Sequence, residues 1–388
     1  MSFSEIISAL GIEEYPAELE EIYKNNEVVS NFDAKAIDAL DEEYNVIGER
    51  KESLKACLTL IRENEALWKY TCAAAAYLSR TSHPDGFKLV LPKVDTEHPL
   101  CYYPVLLLTM ALPEAINNYF KRGFSKDEIV SIYKGFRSAI NLPDASAIAQ
   151  KYNWLRHYTS SAIFLTSLFS VTPRVLRRPL ILLKNDRGDY KIMMTGGRYH
   201  RDGKVLGSAG YTDEDGAFDA EFSEDEIFYT GHEVIDSCVT KEVSSLRKSE
   251  WQVVIREGEG IAGIHIPRGA DLSDERMKKS FREAFDIMKE RYPDYNPKAV
   301  HCSSWLVCPK LAELQGANSN ITRFVNTFIK YPIKSAGTEL FGFAFPKKPD
   351  SYEELAEDTS LQRKIKAIYL SGEFIHAHAG FVPEEYFL

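Results

Sequence analysis

Ile261-Ala262-Gly263-Ile264-His265-Ile266-Pro267-Arg268-Gly269, leading into the run from Ser273 to Arg291, is the stretch that decides the fold. Its first six residues are apolar except for His265 and partly β-branched, which predicts a strand. Pro267 ends that strand, Gly269 permits a tight turn and Ser273 can open a helix. Beyond Ser273, Met277, Phe281, Ala284, Phe285 and Met288 recur at three- and four-residue spacing, so one face of the helix packs inward. Lys278, Lys279, Arg282, Asp286 and Lys289 fall elsewhere on its surface. A strand passing through a glycine-containing turn into a helix leaves several backbone N–H groups free, and these suit an anionic phosphate.

The residues that follow extend the pattern. Ala299 to Val307 reads as a strand and Lys310 to Leu314 as a short helix. Gly316 to Asn320 interrupts, and Ile321, Phe324, Val325 and Phe328 resume helical spacing. Tyr331 to Ile333 and Glu339 to Phe345 read as a strand pair, followed by a helix from Tyr352 to Leu370 and a last strand from Phe374 to Val382. Upstream, Pro179 to Lys184 and Tyr190 to Thr195 predict two strands around the turn Asn185-Asp186-Arg187-Gly188. Residues 197 to 225, rich in Gly and Asp, read as a long exposed excursion, with further strands at Ile227 to Ile235 and Trp251 to Arg256.

The first 170 residues are patterned differently. Leu54, Cys57, Leu58, Ile61, Leu67 and Trp68 follow helical spacing, and Ala73 to Ala76 allow close helix packing. Pro104 to Phe120 is a second apolar helix, and Ser125-Lys126-Asp127-Glu128 has the form of a capping box. The expected architecture is α+β, with a helical domain over residues 1–172 and a mixed α/β domain over 173–388.

Composition sets outer limits. A chain of 388 residues, 44% of them hydrophobic, can bury more than one core. A formal net charge of −10 predicts no general affinity for nucleic acid or an anionic membrane. The apolar stretch from Tyr103 to Leu112 falls short of the ~20 residues that a membrane span needs. No Lys or Arg precedes Lys24, so the start lacks the charged region of a signal peptide. Cysteines 57, 72, 101, 238, 302 and 308 show no C-x-x-C spacing, against a zinc ribbon or a disulfide framework. A cytoplasmic protein of bacterial type with reduced thiols is expected.

Five stretches, in order along most of the chain, carry a family resemblance. They are Trp154-Leu155-Arg156-His157, Ile264-His265-Ile266-Pro267, Cys302-Ser303-Ser304-Trp305-Leu306, Ser319-Asn320-Ile321 and Asp358-Thr359-Ser360-Leu361-Gln362-Arg363. With them the chain resembles bacterial acyltransferase-like proteins that join a helical N-terminal domain to a C-terminal domain of the GNAT type (GCN5-related N-acetyltransferase). The resemblance implies a sheet splayed between the strands at Ile261 to Ile266 and Val300 to Val307, with acyl-CoA inserted at the splay. It implies pantetheine pairing along Ile264 and Ile266, a pyrophosphate over Arg268, Gly269 and Ala270, and Asn320 on the pantetheine arm. It implies an acyl-CoA co-substrate without a metal, and transfer to a primary amine of a small molecule or peptide. Two departures stand out. The family's Gly-rich phosphate loop is reduced to Gly269 amid Asp271, Asp274 and Glu275, and Phe328 stands where many members carry an acidic tyrosine.

Candidate catalytic residues have alternatives beside them. His265 would take the ammonium proton at the splay, or else fix its loop by a hydrogen bond. Ser304 would bond the thioester or thiol, or sit as a satisfied core serine. Glu233, with Tyr229 and His232, would lie at the start of the acceptor groove as a base, or remain a solvated carboxylate. His301 and Cys302 point to opposite faces of one strand, which rules out a Cys–His nucleophile pair. Ser319 and Asn320 both fit an N-cap. His376 and His378 share a face without a third ligand, so no metal site is expected. The alternative to an enzyme is a GNAT-like core that binds a ligand or partner without transferring an acyl group.

Overall fold

The computed structural model describes residues 1–80, 89–95 and 97–387, residue 146 by its backbone alone. Two compact units divide the chain between Leu165 and Thr166.

The first unit is helical: α1 (Phe3–Ala9), α2 (Ala17–Lys24), α3 (Ala34–Tyr44), α4 (Lys51–Glu63), α5 (Glu65–Arg80), α6 (Tyr103–Lys121), α7 (Lys126–Ile140), α8 (Ala145–Gln150) and α9 (Tyr152–Thr159), ending in a two-residue strand, β1 (Phe164–Leu165). Capping fixes the starts. Ser2 with Glu5 and Ser125 with Glu128 close reciprocal capping boxes, and Asp33 and Asp144 each accept one N–H of their helices. The buried alanines Ala73 to Ala76 let α5 pack closely on α6. Pro104 does not interrupt α6, because it sits in the first turn, where its missing N–H costs nothing. The helical run Leu100–Lys121 is long and apolar enough to cross a membrane by length and composition, and 67% of its apolar window is buried.

The second unit contains β2 (Ser170–Val175), β3 (Leu180–Asn185), β4 (Tyr190–Met194), β5 (Arg198–Tyr199), β6 (Phe218–Asp219), β7 (Phe222–Glu224), β8 (Phe228–Ile235), β9 (Cys238–Arg247), β10 (Trp251–Arg256), β11 (Gly260–His265), α10 (Asp274–Arg291), β12 (Ala299–Ser304), α11 (Pro309–Gln315), α12 (Asn320–Thr327), β13 (Ile329–Pro332), α13 (Ser360–Leu370) and β14 (His378–Pro383). Within it, one sheet runs β2-β11-β12-β14-β13 and a second runs β10-β3-β4-β8-β7, with β9 also paired to β8. β10 and β11 are consecutive in sequence yet lie in different sheets, and Gly258, at φ +88°, supplies the left-handed residue in the turn between them. The sheets share a core in which Leu180, Leu182, Ile192, Met194 and Ile255 meet Ile261, Ala299, Tyr331, Ala379 and Phe381.

α10 packs on β11 and β12, burying Met277, Phe281, Ala284, Phe285 and Met288 as its spacing predicts. Glu339 to Phe345 forms no strand beyond a single bridge, and β13 pairs with β14 instead. Gly380 makes that pairing possible, since an added Cβ would come 2.8 Å from the Cβ of Phe328.

Candidate functional site

The only parallel strand pair described, β11 with β12, positions the candidate site. Three residues of each strand are in register: Ile261 with Ala299, Ala262 with Val300, and Gly263 with His301. Pairing stops there although both strands continue. Ile264 and His265 stay in register with Val171 and Ser170 of β2, while Cys302, Ser303 and Ser304 stay in register with β14. Each strand is thus held from its outer side while the inner edges part. The Gly260 carbonyl accepts Lys298 N–H at 2.9 Å on the β12 side. Strand alternation turns the N–H and C=O of Ile264 to that same side, into the opening.

Beyond β11 the chain turns at Pro267-Arg268-Gly269-Ala270, with Ala270 N–H bonded to Pro267 O at 3.2 Å and Gly269 at φ +76°. The first helical N–H to bond back is Met277's, to Ser273 O at 3.0 Å. The Ser273 side chain makes no cap bond, so the N–H groups of Asp274, Glu275 and Arg276 have no acceptor among the described residues. Such an end favours an anion.

Two of the acidic residues that crowd this end in sequence are neutralised in place. Asp271 accepts from Ser273 N–H at 3.2 Å and from Arg276 at 3.3 Å. Its carboxyl is held below the usual range, chiefly by the Arg276 hydrogen bond. Asp274 accepts the Tyr386 hydroxyl at 2.6 Å and pairs with Lys278 at 3.1 Å. The Tyr386 bond is the main cause of its lowered pKa, and the Arg323 charge contributes. Arg268 and Arg323 are exposed and form no ion pair among the described residues. Arg323 on α12 lies close enough to Asp274 to lower its pKa, which puts it near the same helix end.

His265 ends β11 at the opening, with Nε2 3.3 Å from Thr172 Oγ1 and 3.4 Å from an Arg174 guanidinium nitrogen. By register it shares the face of Gly263, Thr172 and Ile261, the face turned to the second sheet. Ser304 ends β12 at the other lip, and its Oγ accepts Leu306 N–H at 3.1 Å, capping a short turn. Ser319, not Asn320, caps α12, accepting Thr322 N–H at 2.9 Å. Asn320 is left exposed as the first residue of that helix. Ile264, Arg268, Gly269 and Ala270 follow one another around the turn, with Ile266 just past the strand end.

Glu233 is not brought to the opening. It lies on β8 in the second sheet, opposite Met193, on the face whose core is Ile181, Leu183, Met193 and Tyr229. It accepts the Ser244 hydroxyl at 2.5 Å and pairs with Lys191 at 2.7 Å. The expectation that it begins an acceptor groove is corrected accordingly. His232 contacts Thr240 O through Nδ1 at 3.0 Å, and Tyr229 is part of the same outer core.

Cys302 is buried, and burial pushes its thiol up to about 12. His301, on the opposite face, has Nε2 2.8 Å from the Tyr331 hydroxyl and is held neutral by burial, its pKa down to about 3. Phe328 is buried against Phe324. Sequence reasoning did not single out Thr172, Arg174 or Arg323. Thr172 and Arg174 flank Pro173, a residue that argues against a paired strand. An exposed arginine such as Arg323 looks like any other surface charge.

Residues 203–382 match the family model for the GNAT-like C-terminal domain. No curated protein matches the chain in sequence. Among solved structures, an acyltransferase mutant in complex with octanoyl-CoA is similar, at a TM-score of 0.60 and 13% identity, with 99% of each chain covered. An acyltransferase in complex with decanoyl-CoA gives 0.57 and 14%, again over 99% of each chain. A complex of an acyltransferase with decanoyl-CoA and teicoplanin gives 0.60 and 14% over the same share. At these identities the likeness is one of fold: a GNAT-like domain follows a helical N-terminal region.

Proposed function

We propose that this chain, whose residues 203–382 form a GNAT-like domain, is an acyltransferase that moves an acyl group from acyl-CoA to a primary amine by direct attack. The observation that carries the reading is the parting of β11 and β12 beyond Gly263 and His301, with unpaired N–H groups at the α10 start one turn away. The crystallised acyltransferases of this fold hold octanoyl-CoA or decanoyl-CoA, which supports an acyl-CoA donor here.

In this reading the pantetheine arm lies along Ile264, whose N–H polarises the thioester carbonyl as charge develops on its oxygen. The pyrophosphate rests on Gly269, Ala270 and the N–H groups of Asp274 to Arg276, with Arg268 and Arg323 beside it, and Asn320 bonds the arm. The amine nitrogen attacks the carbonyl carbon, an amide bond forms and the C–S bond breaks. The nitrogen gives up one proton and the leaving thiolate takes one up as CoA thiol. His265 receives the amine proton, directly or through water, and Ser304 hydrogen-bonds the sulfur. Thr172 and Arg174 position the His265 ring. The acceptor is a small molecule or peptide amine, and the reaction takes place in the cytoplasm.

Calorimetric titration with octanoyl-CoA tests the donor site, and the absence of binding by octanoyl-CoA, decanoyl-CoA and CoA alike would sink the proposal. The buried Phe328 favours a second reading, in which the opening binds an acyl-CoA without turning it over. Thiol release from octanoyl-CoA across a broad panel of primary amines separates the two.

A further inference from the structure

The last residues of the chain lie along α10 and are tied down at several points. Lys289 pairs with Glu384 at 2.6 Å, and the Arg282 guanidinium donates to the Phe387 carbonyl oxygen at 3.0 Å. The Phe387 ring packs on Phe281 and Phe285, with ring centres 6.0 and 5.0 Å apart. Glu385 accepts the Tyr190 hydroxyl at 2.7 Å. Between these ties, Tyr386 is carried to the start of α10. Its hydroxyl oxygen lies 2.6 Å from a carboxylate oxygen of Asp274, the first residue of that helix. It also lies 3.1 Å from Oγ1 of Thr327, the last residue of α12. Lys278 Nζ stands 4.9 Å from the centre of the Tyr386 ring.

Counting protons fixes the direction of these bonds. A carboxylate only accepts, so the single hydroxyl proton of Tyr386 goes to Asp274 Oδ1. Burial, then the bond to Asp274, push the Tyr386 pKa up, so this donor keeps its proton. Asp274 Oδ2 is taken by Lys278 at 3.1 Å. Both carboxylate oxygens are thus claimed by side chains. Neither is bonded, among the described residues, to the N–H groups of Asp274, Glu275 and Arg276 in the same turn. An unrestrained acid here would be drawn to those groups, because a helix start attracts negative charge and a side-chain oxygen can cap it. It would then compete with any phosphate that the same N–H groups bind.

We propose that Tyr386 is a positioning residue for the acyl donor: it restrains Asp274, so that the N–H groups at the start of α10 stay open to the phosphates of CoA. The inference rests on the acyl-CoA reading. It adds that the C-terminal segment sets the affinity for the donor, by withholding from the helix start an anion that the chain itself carries there.

Calorimetric titration of the full chain with CoA tests it. Tyr386→Phe removes one hydroxyl and leaves the ties of Glu384, Glu385 and Phe387 in place. It should raise the Kd for CoA about fivefold, the scale of a capping interaction that the phosphate must displace. In the Asp274→Ala background the same substitution should leave the Kd where it is. Pantetheine, which lacks the phosphates, should bind the parent and Tyr386→Phe alike. Tyr386→Leu, also without a hydroxyl, serves where Tyr386→Phe does not fold. Amide NMR without CoA reads the restraint independently. The Glu275 and Arg276 N–H resonances should move downfield in Tyr386→Phe, and should not differ between Asp274→Ala and the double variant. An unchanged Kd for CoA in Tyr386→Phe, or an equal rise in the Asp274→Ala background, overturns the proposal. If CoA fails to bind the parent while these resonances still move, the acyl-CoA reading falls and the restraint on Asp274 stands. If CoA binds and the resonances stay in place, the restraint alone falls.

Discussion

Removing Arg268 isolates the phosphate end of the proposed site. Arg268 is exposed and forms no ion pair among the described residues, so Arg268→Ala breaks no structural contact. Folding stability should move by no more than about 0.5 kcal/mol, as for most surface substitutions. A hydrogen bond to a charged group contributes roughly 1.5–3 kcal/mol. An exposed arginine in salt with a Debye length of about 8 Å belongs at the low end of that range. About 1.4 kcal/mol is a factor of ten in affinity. The Kd for CoA, read by calorimetry, should therefore rise about tenfold. Pantetheine, which lacks the phosphates, should bind the variant and the parent alike. Arg323→Ala should behave in the same way, and the double variant should lose about a hundredfold if the two arginines act independently. Raising the salt should shrink the difference between parent and variant. An unchanged CoA affinity, or an equal loss for pantetheine, would refute the placement of the pyrophosphate at this turn.

Other expectations are more local. Gly260→Ala would drive a Cβ into the Tyr295 carbonyl, and overpacking against backbone should cost about 3 kcal/mol or more, read as a lower urea midpoint. Cys302→Ala should retain thiol release from acyl-CoA, and Cys302 in the parent should resist maleimide at pH 7, because the thiol is buried and its pKa is pushed up to about 12. Glu224 has its pKa lowered to about 2 by hydrogen bonds from Arg256 and then Lys248, against an ordinary value of 4.5. A depressed carboxylate contributes stability above its unfolded pKa and loses it as the pH falls through the folded one. Glu224→Gln should therefore be less stable than the parent at pH 7, with the gap closing between about pH 4.5 and 2 in urea titrations.

Much of this fold is legible in the sequence because its elements are strongly patterned. The spacing of Met277, Phe281 and Met288 gives α10, and Trp251 to Arg256 gives β10 at its observed ends. The segments that escape are those whose local signals conflict with tertiary pairing. β2 carries Pro173 in its middle, yet pairs with β11 along its whole length. Glu339 to Phe345 has the aromatic content of a strand, but its Leu340, Phe341 and Phe345 pack into a helix-lined core with Leu311, Val325 and Ile365 instead. β9, Cys238–Arg247, alternates too weakly to be seen, because most of its middle residues are exposed.

The site shows the same limit in electrostatic form. Asp271, Asp274 and Glu275 before a helix read as a repulsive setting for phosphate when charges are only counted along the chain. In space, Arg276 takes Asp271, and Lys278 with Tyr386 takes Asp274, leaving Arg268 and Arg323 uncommitted at that end. The balance of sign at the helix start is set by which cation each acid engages. Tyr386 lies 112 residues from Asp274 in sequence, so no local pattern could reveal that pairing. Glu233 errs in the opposite direction. The family layout implied a base at the start of the acceptor groove, with a solvated carboxylate as the alternative, and the fold instead commits it to Lys191 and Ser244 on the outer face of the second sheet. A carboxylate can serve as a base only while its oxygens are unclaimed and near the proton to be moved. Both conditions depend on partners supplied by other strands, so pairing, more than residue type, decides which acids of this chain are available for chemistry.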